Sequence, residues 1–164
     1  MGISYDIFKQ AAASVIRAFD QAIPIFKELP DWPDDRQGGY FCLAEGATGI
    51  PIVIIKIGET SMKNERYLLF CIEKSRRLAG LPEHRSSYES RNPDQDMWGG
   101  AVRVKKNTDD FIFSFSGFPE LADEALMLLT AHIFYGHDAQ VIGPKLYEIA
   151  RVSNNHYWGA IREG

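Results

Sequence analysis

The stretch Trp98-Gly99-Gly100-Ala101-Val102-Arg103-Val104-Lys105-Lys106-Asn107-Thr108-Asp109-Asp110-Phe111-Ile112-Phe113-Ser114-Phe115-Ser116-Gly117-Phe118-Pro119-Glu120 decides the fold class. Gly100 to Lys105 and Asp110 to Ser116 are strand-forming runs, and the polar Asn107-Thr108-Asp109 between them has the chemistry of a hairpin turn. Phe111, Phe113 and Phe115 alternate with Ile112, Ser114 and Ser116, so one face of the second strand is wholly aromatic. Pro119 then stands where a first helical residue is favoured, and Glu120, Asp123 and Glu124 populate the electropositive first turn. Leu121, Ala125, Leu128, Leu129, His132 and Ile133 continue as a helical stripe that Gly136 closes. A β-hairpin running into an amphipathic helix is therefore the unit to extend in both directions.

Upstream, Tyr40 to Ala44 and Ile50 to Ile57 form a second pair of β-prone runs around Glu45-Gly46-Ala47-Thr48-Gly49. Ile52, Val53, Ile54 and Ile55 are apolar without alternation, which predicts a central strand covered on both faces, and Pro51 at its start is tolerated there. A helix follows: Thr60 or Ser61 offers the N-cap, Tyr67, Leu68, Cys71, Ile72, Leu78 and Ala79 give the stripe, and Gly80 with Pro82 ends it. Lys74, Arg76 and Arg77 sit in its last turns, where positive charge suits the dipole. The N-terminal segment from Ser4 to about Leu29 repeats apolar residues at Phe8, Ala11, Val15, Phe19, Ala22 and Phe26, with Pro24 expected to kink or end the helix near Ile23. Pro30 to Gly39 reads as a connector.

Leu81 to Met97 is polar and too long for an ordinary connection, so it is expected to be functional or mobile. Downstream, a weaker helix runs from about Asp138 or Pro144 to Val152, and the tail carries His156-Tyr157-Trp158. The order is helix, two strands, helix, two strands, helix, helix. Two hairpins split by one helix join into one antiparallel sheet of four or five strands with helices on its faces, an α+β layer architecture of the profilin or roadblock kind.

At 164 residues, with 45% hydrophobic side chains, the chain has the size and apolar content of one domain with its own core. Its net charge is −4, and no basic stripe stands out, which argues against binding nucleic acid through phosphate neutralisation. No apolar run reaches spanning length and the N-terminus lacks a signal-like pattern, so a soluble, cytoplasmic protein without a membrane partner is expected. Cys42 and Cys71 lie inside apolar runs without CxxC spacing and are expected as buried free thiols.

The residues also resemble a known family. Trp98 to Val104, Phe113 to Glu120 and Asp123-Glu124-Ala125 are similar to the Gly-Gly strand, the Ser-Gly strand end and the Asp-Glu helix start of the GlcG-like, haem-degrading-domain family. Val53 to Gly58, with the helix carrying Glu73-Lys74-Ser75-Arg76-Arg77, resembles that family's strand and Lys-Ala-Arg helix. The likeness spans roughly Ile50 to Thr130, and it departs from the family where Ser114 and Phe115 replace glycines. It implies a profilin-like fold that oligomerises, as a dimer or higher homo-oligomer, and that often binds a small molecule or tetrapyrrole. It would put a ligand at the polar loop and the Gly99-Gly100 turn, the loop that length alone also marks.

Candidate residues follow from both arguments. Ser116-Gly117 before the Pro119 helix would offer backbone amides to an anion, or Ser116 would simply cap the helix. His84, Arg85 and Arg91 with Asp94 and Asp96 in the loop could bind a polar ligand, or form a solvated loop; Trp98 and Gly99 complete the candidate ligand set. His132 lies on an apolar stripe, and no His-x-x-x-His or zinc spacing exists, so no metal site is expected. Haem ligation by one His or Tyr leaves no spacing to read, and the cofactor stays unassigned. Ser86, Ser87 and Ser114 lack a nucleophile elbow, and no catalytic motif is present. The acidic Glu120, Asp123 and Glu124 read as dipole complements, and the three phenylalanines with Trp98 read as core or as an apolar pocket. Trp32, Tyr157 and Trp158, in irregular segments, read as a partner surface. The readings are a small-ligand-binding module, an assembly module pairing through a sheet edge or helix face, and a weak enzyme using loop carboxylates or His84.

Overall fold

A computed structural model describes residues 2–59 and 65–164. Helix α1 (Gly2–Phe26) leads into β1 (Gly38–Glu45) and β2 (Pro51–Gly58), then α2 (Arg66–Ala79), β3 (Ala101–Lys106), β4 (Asp109–Ser116), α3 (Glu120–Phe134), α4 (Ala139–Ser153) and α5 (His156–Glu163). The four strands form one sheet in the order β2-β1-β4-β3, every neighbour antiparallel. This is the α+β order expected from the two hairpins, with four strands in the sheet. The fold resembles no all-helical or parallel alternative, because both tight hairpins force antiparallel neighbours.

Strand alternation sorts the sheet into two faces. Phe41 and Leu43 of β1, Val102 and Val104 of β3, and Phe113 and Phe115 of β4 join the larger core, which α1 and α3 cover. Cys42, Ala44, Ala101 and Ile112 point the other way, against Cys71 and Leu78 of α2. Both cysteines are buried free thiols. The aromatic face of β4 is thus mostly core: Phe113 meets Phe134 at 5.4 Å edge-on, and Phe115 meets Phe118 at 5.0 Å.

Four expectations are corrected. β2 is an edge strand, not a central one, and Ile54 is 45% exposed. Ile54 lies opposite Cys42 on the α2 face, but α2 packs over β1, β4 and β3 and leaves β2 overhanging. Its unbroken apolar run reflects β propensity rather than two-sided burial. Pro24 does not end α1 at Ile23; the helix continues to Phe26, and the proline falls in its last turn, where few amides depend on the lost ladder. The connector stops before Gly38, and Gly39 belongs to β1 because a Cβ there would stand 2.2 Å from the Ser116 carbonyl oxygen. The N-cap expected at Thr60 or Ser61 lies outside the described residues; the helix itself starts at Arg66 after Glu65.

The aromatic tail is the fourth correction. Tyr157 and Trp158 are buried, not a partner surface, because the tail forms α5 and docks: Tyr157 packs edge-on against Phe26 at 5.0 Å, and half-buried Trp32 meets Phe118 at 4.9 Å with the rings tilted. Asn155 caps α5 by accepting from Trp158 N at 3.0 Å, and donates through Nδ2 to Leu121 O at 2.8 Å and Glu124 at 2.9 Å.

The loop over 81–97 is built rather than loose. It contains two 3-10 turns, Ser87–Ser90 and Pro93–Gln95, and Ser86 bridges Val102 so that the segment covers part of the free edge of β3. Two buried arginines hold it. Arg77 donates to Trp98 O at 2.6 Å and Ser90 Oγ at 3.0 Å, and Arg103 reaches carbonyls at the end of α2 and at Leu81, His84 and Gly46. Glu124 of α3 ties the same loop to the C-terminal helices: it accepts from Ser86 Oγ, Ser153 Oγ and Asn155, and burial among these neutral donors pushes its pKa up. Because Tyr157 fills the space under α1, Tyr157→Ala is expected to cost about 3 kcal/mol of stability; urea unfolding measures it, and a loss within about 0.5 kcal/mol, the range of a surface change, would mean that α5 is not docked.

Candidate functional site

At the end of the sheet where β4 hands over to α3, a cleft of about 540 Å³, its open mouth included, is walled by α2, the Asp96–Trp98 segment and the start of α3. Its floor is ionic. Lys74 of α2, 1% exposed, donates through Nζ to Phe115 O at 2.7 Å and to Asp123 Oδ2 at 3.1 Å. Asp123 also accepts from Phe118 N at 2.9 Å, which anchors the first turn of α3. α2 and α3 lie on opposite faces of the sheet, so this pair clips the two layers together past the end of β4. Gly100 makes room for it: its φ is +122°, and a Cβ there would meet Lys74 Nζ at 2.7 Å and Asp123 Cβ at 2.8 Å. Burial raises the pKa of Asp123 to about 6, against the pull of the Lys74 ammonium and the Phe118 amide.

The walls are aromatic and cationic. Tyr67 and Phe70 come from α2, Trp98 from the loop, and Phe118 from the β4–α3 joint. The Arg36 guanidinium lies over the Tyr67 ring, 5.3 Å from its centroid, and donates to Gly117 O at 3.0 Å, and that of Arg66 lies 5.7 Å from the centroid of the Phe70 ring. Ser116 is buried and borders the cleft.

The residues singled out in the sequence divide between two places. Trp98 and Ser116 line the cleft; Gly99 lies beside it and donates its N–H to Glu120 at 3.0 Å; Gly117 offers its carbonyl to Arg36. Arg91 holds Glu120 of the cleft wall in a two-pronged pair at 2.8 and 2.6 Å, so it buttresses the site from behind. His84 and Arg85 are not brought to the cleft. Their carbonyls receive Arg103 side-chain and backbone N–H groups beside β3, and Arg85 turns back to Pro82 O at 3.0 Å. Of the loop acids, Asp96 is exposed at the cleft rim. His132, His137 and His156 lie in other grooves.

Ser116 does not cap α3, because the side chain of Asp123 reaches back to the Phe118 amide instead. Lys74, Asp123, Arg36, Arg66, Tyr67 and Phe70 are cleft residues that no local sequence pattern marked. They meet only when α2 is laid across the sheet, and each taken alone reads as ordinary helix or turn chemistry. The one available signal was Lys74 itself: it sits three residues after Cys71 and four before Leu78, on the buried stripe, where an amine needs a partner.

No protein-family model matches the chain, and no curated protein matches its sequence. Among solved structures, the fold is similar to that of Klebsiella pneumoniae protein ORFY, a member of DUF336, the GlcG-like family. The TM-score is 0.52 at 15% identity, with 79% of this chain and 88% of that chain covered. This likeness is one of fold.

The Asp123 carboxyl gives a pH signature. A carboxylate whose folded pKa lies above its ordinary 3.8 keeps its proton in the native state after the unfolded chain has lost it. Its contribution to stability is therefore present below pH 4 and declines as pH rises to about 6. Carboxyl-carbon NMR is expected to show Asp123 titrating near 6, and to move higher in Lys74→Met, which removes the opposing charge; a midpoint near 4 in both proteins would mean the pair is hydrated.

Proposed function

We propose that this protein is a small-ligand-binding module whose site is the cleft between α2, Trp98 and the start of α3. The observation that carries the reading is the lining of the cleft, where the Arg36 and Arg66 guanidinium groups lie over Tyr67 and Phe70 beside Trp98, Phe118 and Ser116. The enclosed part of the cleft, about 170 Å³, suits a ligand with a single ring, and the mix of apolar walls with a few convergent polar groups is that of ligand pockets generally. The sequence resemblance to the GlcG-like family, which would put a ligand at the polar loop and the Gly99-Gly100 turn, supports a binding role near this end of the sheet, and the fold is shared with a DUF336 protein. No acid–base or nucleophile constellation in the cleft calls for catalysis: Asp123 is committed to Lys74 and to a backbone amide.

A fragment-library screen by two-dimensional amide NMR tests the reading. Binders are expected to shift the Trp98, Gly99 and Ser116–Phe118 signals together; a library of ordinary size, including haem, that moves none of them would overturn it.

A second reading, homo-oligomeric assembly, is favoured by the free edge of β2. Part of the β3 edge is covered by the Ser86 bridge, whereas β2 presents Pro51 to Gly58 with Ile54 exposed and Lys56 its one charged side chain. Two such edges would pair across a two-fold axis. Ile54→Lys is expected to shift the mass measured by light scattering from dimer to monomer without loss of fold, and a monomeric parent chain at high concentration would end this reading.

A further inference from the structure

We propose that the cleft selects a planar aromatic carboxylate; this rests on the ligand-binding reading above and adds the chemistry of the ligand. Most charges at the cleft already have partners. Glu120 accepts from Arg91 and from Gly99 N, and Asp123 accepts from Lys74 and from Phe118 N, so neither carboxylate is free to repel or recruit a ligand. Lys74 is likewise committed. Asp96, the remaining acid at the cleft, is exposed at the rim, where water screens it.

Two cations remain. Arg66 has no carboxylate partner among the described residues, and Arg36 has only the exposed Asp35, with Nε at 3.7 Å, besides its single bond to Gly117 O. Each guanidinium lies against a ring, Arg36 on Tyr67 and Arg66 on Phe70. A guanidinium carries five N–H donors in a planar fork, and those that no described carboxylate holds suit the two-pronged grip of a ligand carboxylate. Ser116 adds a hydroxyl to the lining of the same cleft.

The rest of the ligand is read from the walls. Phe70, Trp98 and Phe118 present flat apolar surface to the same space as Arg36 and Ser116. A ring carrying a carboxylate fills both requirements: its π-face meets the aromatic walls, and its charge meets Arg36 and Arg66. An aliphatic acid would leave the walls wet, and a neutral amide of the same shape would forfeit the charge-assisted bonds.

The test is a binding titration of the full chain with benzoate and indole-3-carboxylate against benzamide and acetate, read by calorimetry and by the Trp98 and Ser116 signals. Benzoate or its indole analogue is expected to bind at least about tenfold tighter than either control, the equivalent of one charge-assisted hydrogen bond. Arg66→Met, on an exposed helical position, is expected to weaken it by about tenfold, and Ser116→Ala by a smaller factor, with unchanged melting temperature for the first. Benzamide binding as tightly as benzoate, or Arg66→Met together with Arg36→Met leaving the affinity unchanged, would overturn the inference. If fragments of other chemistry occupy the cleft while aromatic acids do not, the ligand class is wrong and the binding site stands; if nothing binds there, both fall.

Discussion

An ammonium and a carboxylate, Lys74 and Asp123, meet 3.1 Å apart in a place where water does not reach, and the arrangement of this end of the molecule depends on them. Taking two charges out of water costs several kcal/mol each, and mutual attraction offsets that only when the remaining hydrogen-bonding capacity is also used. Here it is used: the ammonium has the Phe115 carbonyl, and the carboxylate has the Phe118 amide. The pair therefore fixes more than itself. It sets the Phe115 carbonyl near the end of the aromatic strand, the first turn of α3, and the depth at which α2 lies on the other face of the sheet.

The cleft is what that clip leaves open. With α2 held by Lys74, its Tyr67 and Phe70 form one wall; with α3 held by Asp123, Phe118 and Glu120 form another; and Arg77 and Arg91 pin the loop that brings Trp98 across. The buried Lys74–Asp123 pair sets α2 and α3, and the part-buried Arg77 with the two-pronged, partly exposed Arg91–Glu120 pair sets the loop. Such a cleft keeps its shape without a ligand, which lowers the ordering cost of binding.

Much of this fold is visible in the periodicities. The alternating phenylalanines, the two turn-separated hairpins and the three apolar helical stripes each correspond to an element of the structure, because local geometry repeats every two or about 3.6 residues. What periodicity does not carry is position within the sheet. Ile52 to Ile55 reads as a buried centre but forms an edge, since which strands α2 covers is a property of the assembled layers. The same holds for Trp32, Tyr157 and Trp158, whose burial depends on α5 folding back onto α1. The site was legible in part: Trp98, Gly99, Ser116 and Gly117 stand at or beside the cleft, while the long loop drew attention to His84 and Arg85, which serve β3 instead. Arg36, Arg66 and Lys74 converge from separate segments, and no spacing rule connects them.

The most direct measurement is a double-mutant cycle on the clip, with Lys74→Met, Asp123→Asn and the double variant unfolded in urea at pH 7. Asparagine keeps an acceptor for the Phe118 amide, so the cycle isolates the ionic link. A buried pair that joins the two layers predicts a coupling of about 1.5 kcal/mol or more, with the double variant more stable than the sum of the single losses implies. Additive losses, within about 0.5 kcal/mol, would mean that the two side chains act independently, and that something else holds α2 and α3 in place around the cleft.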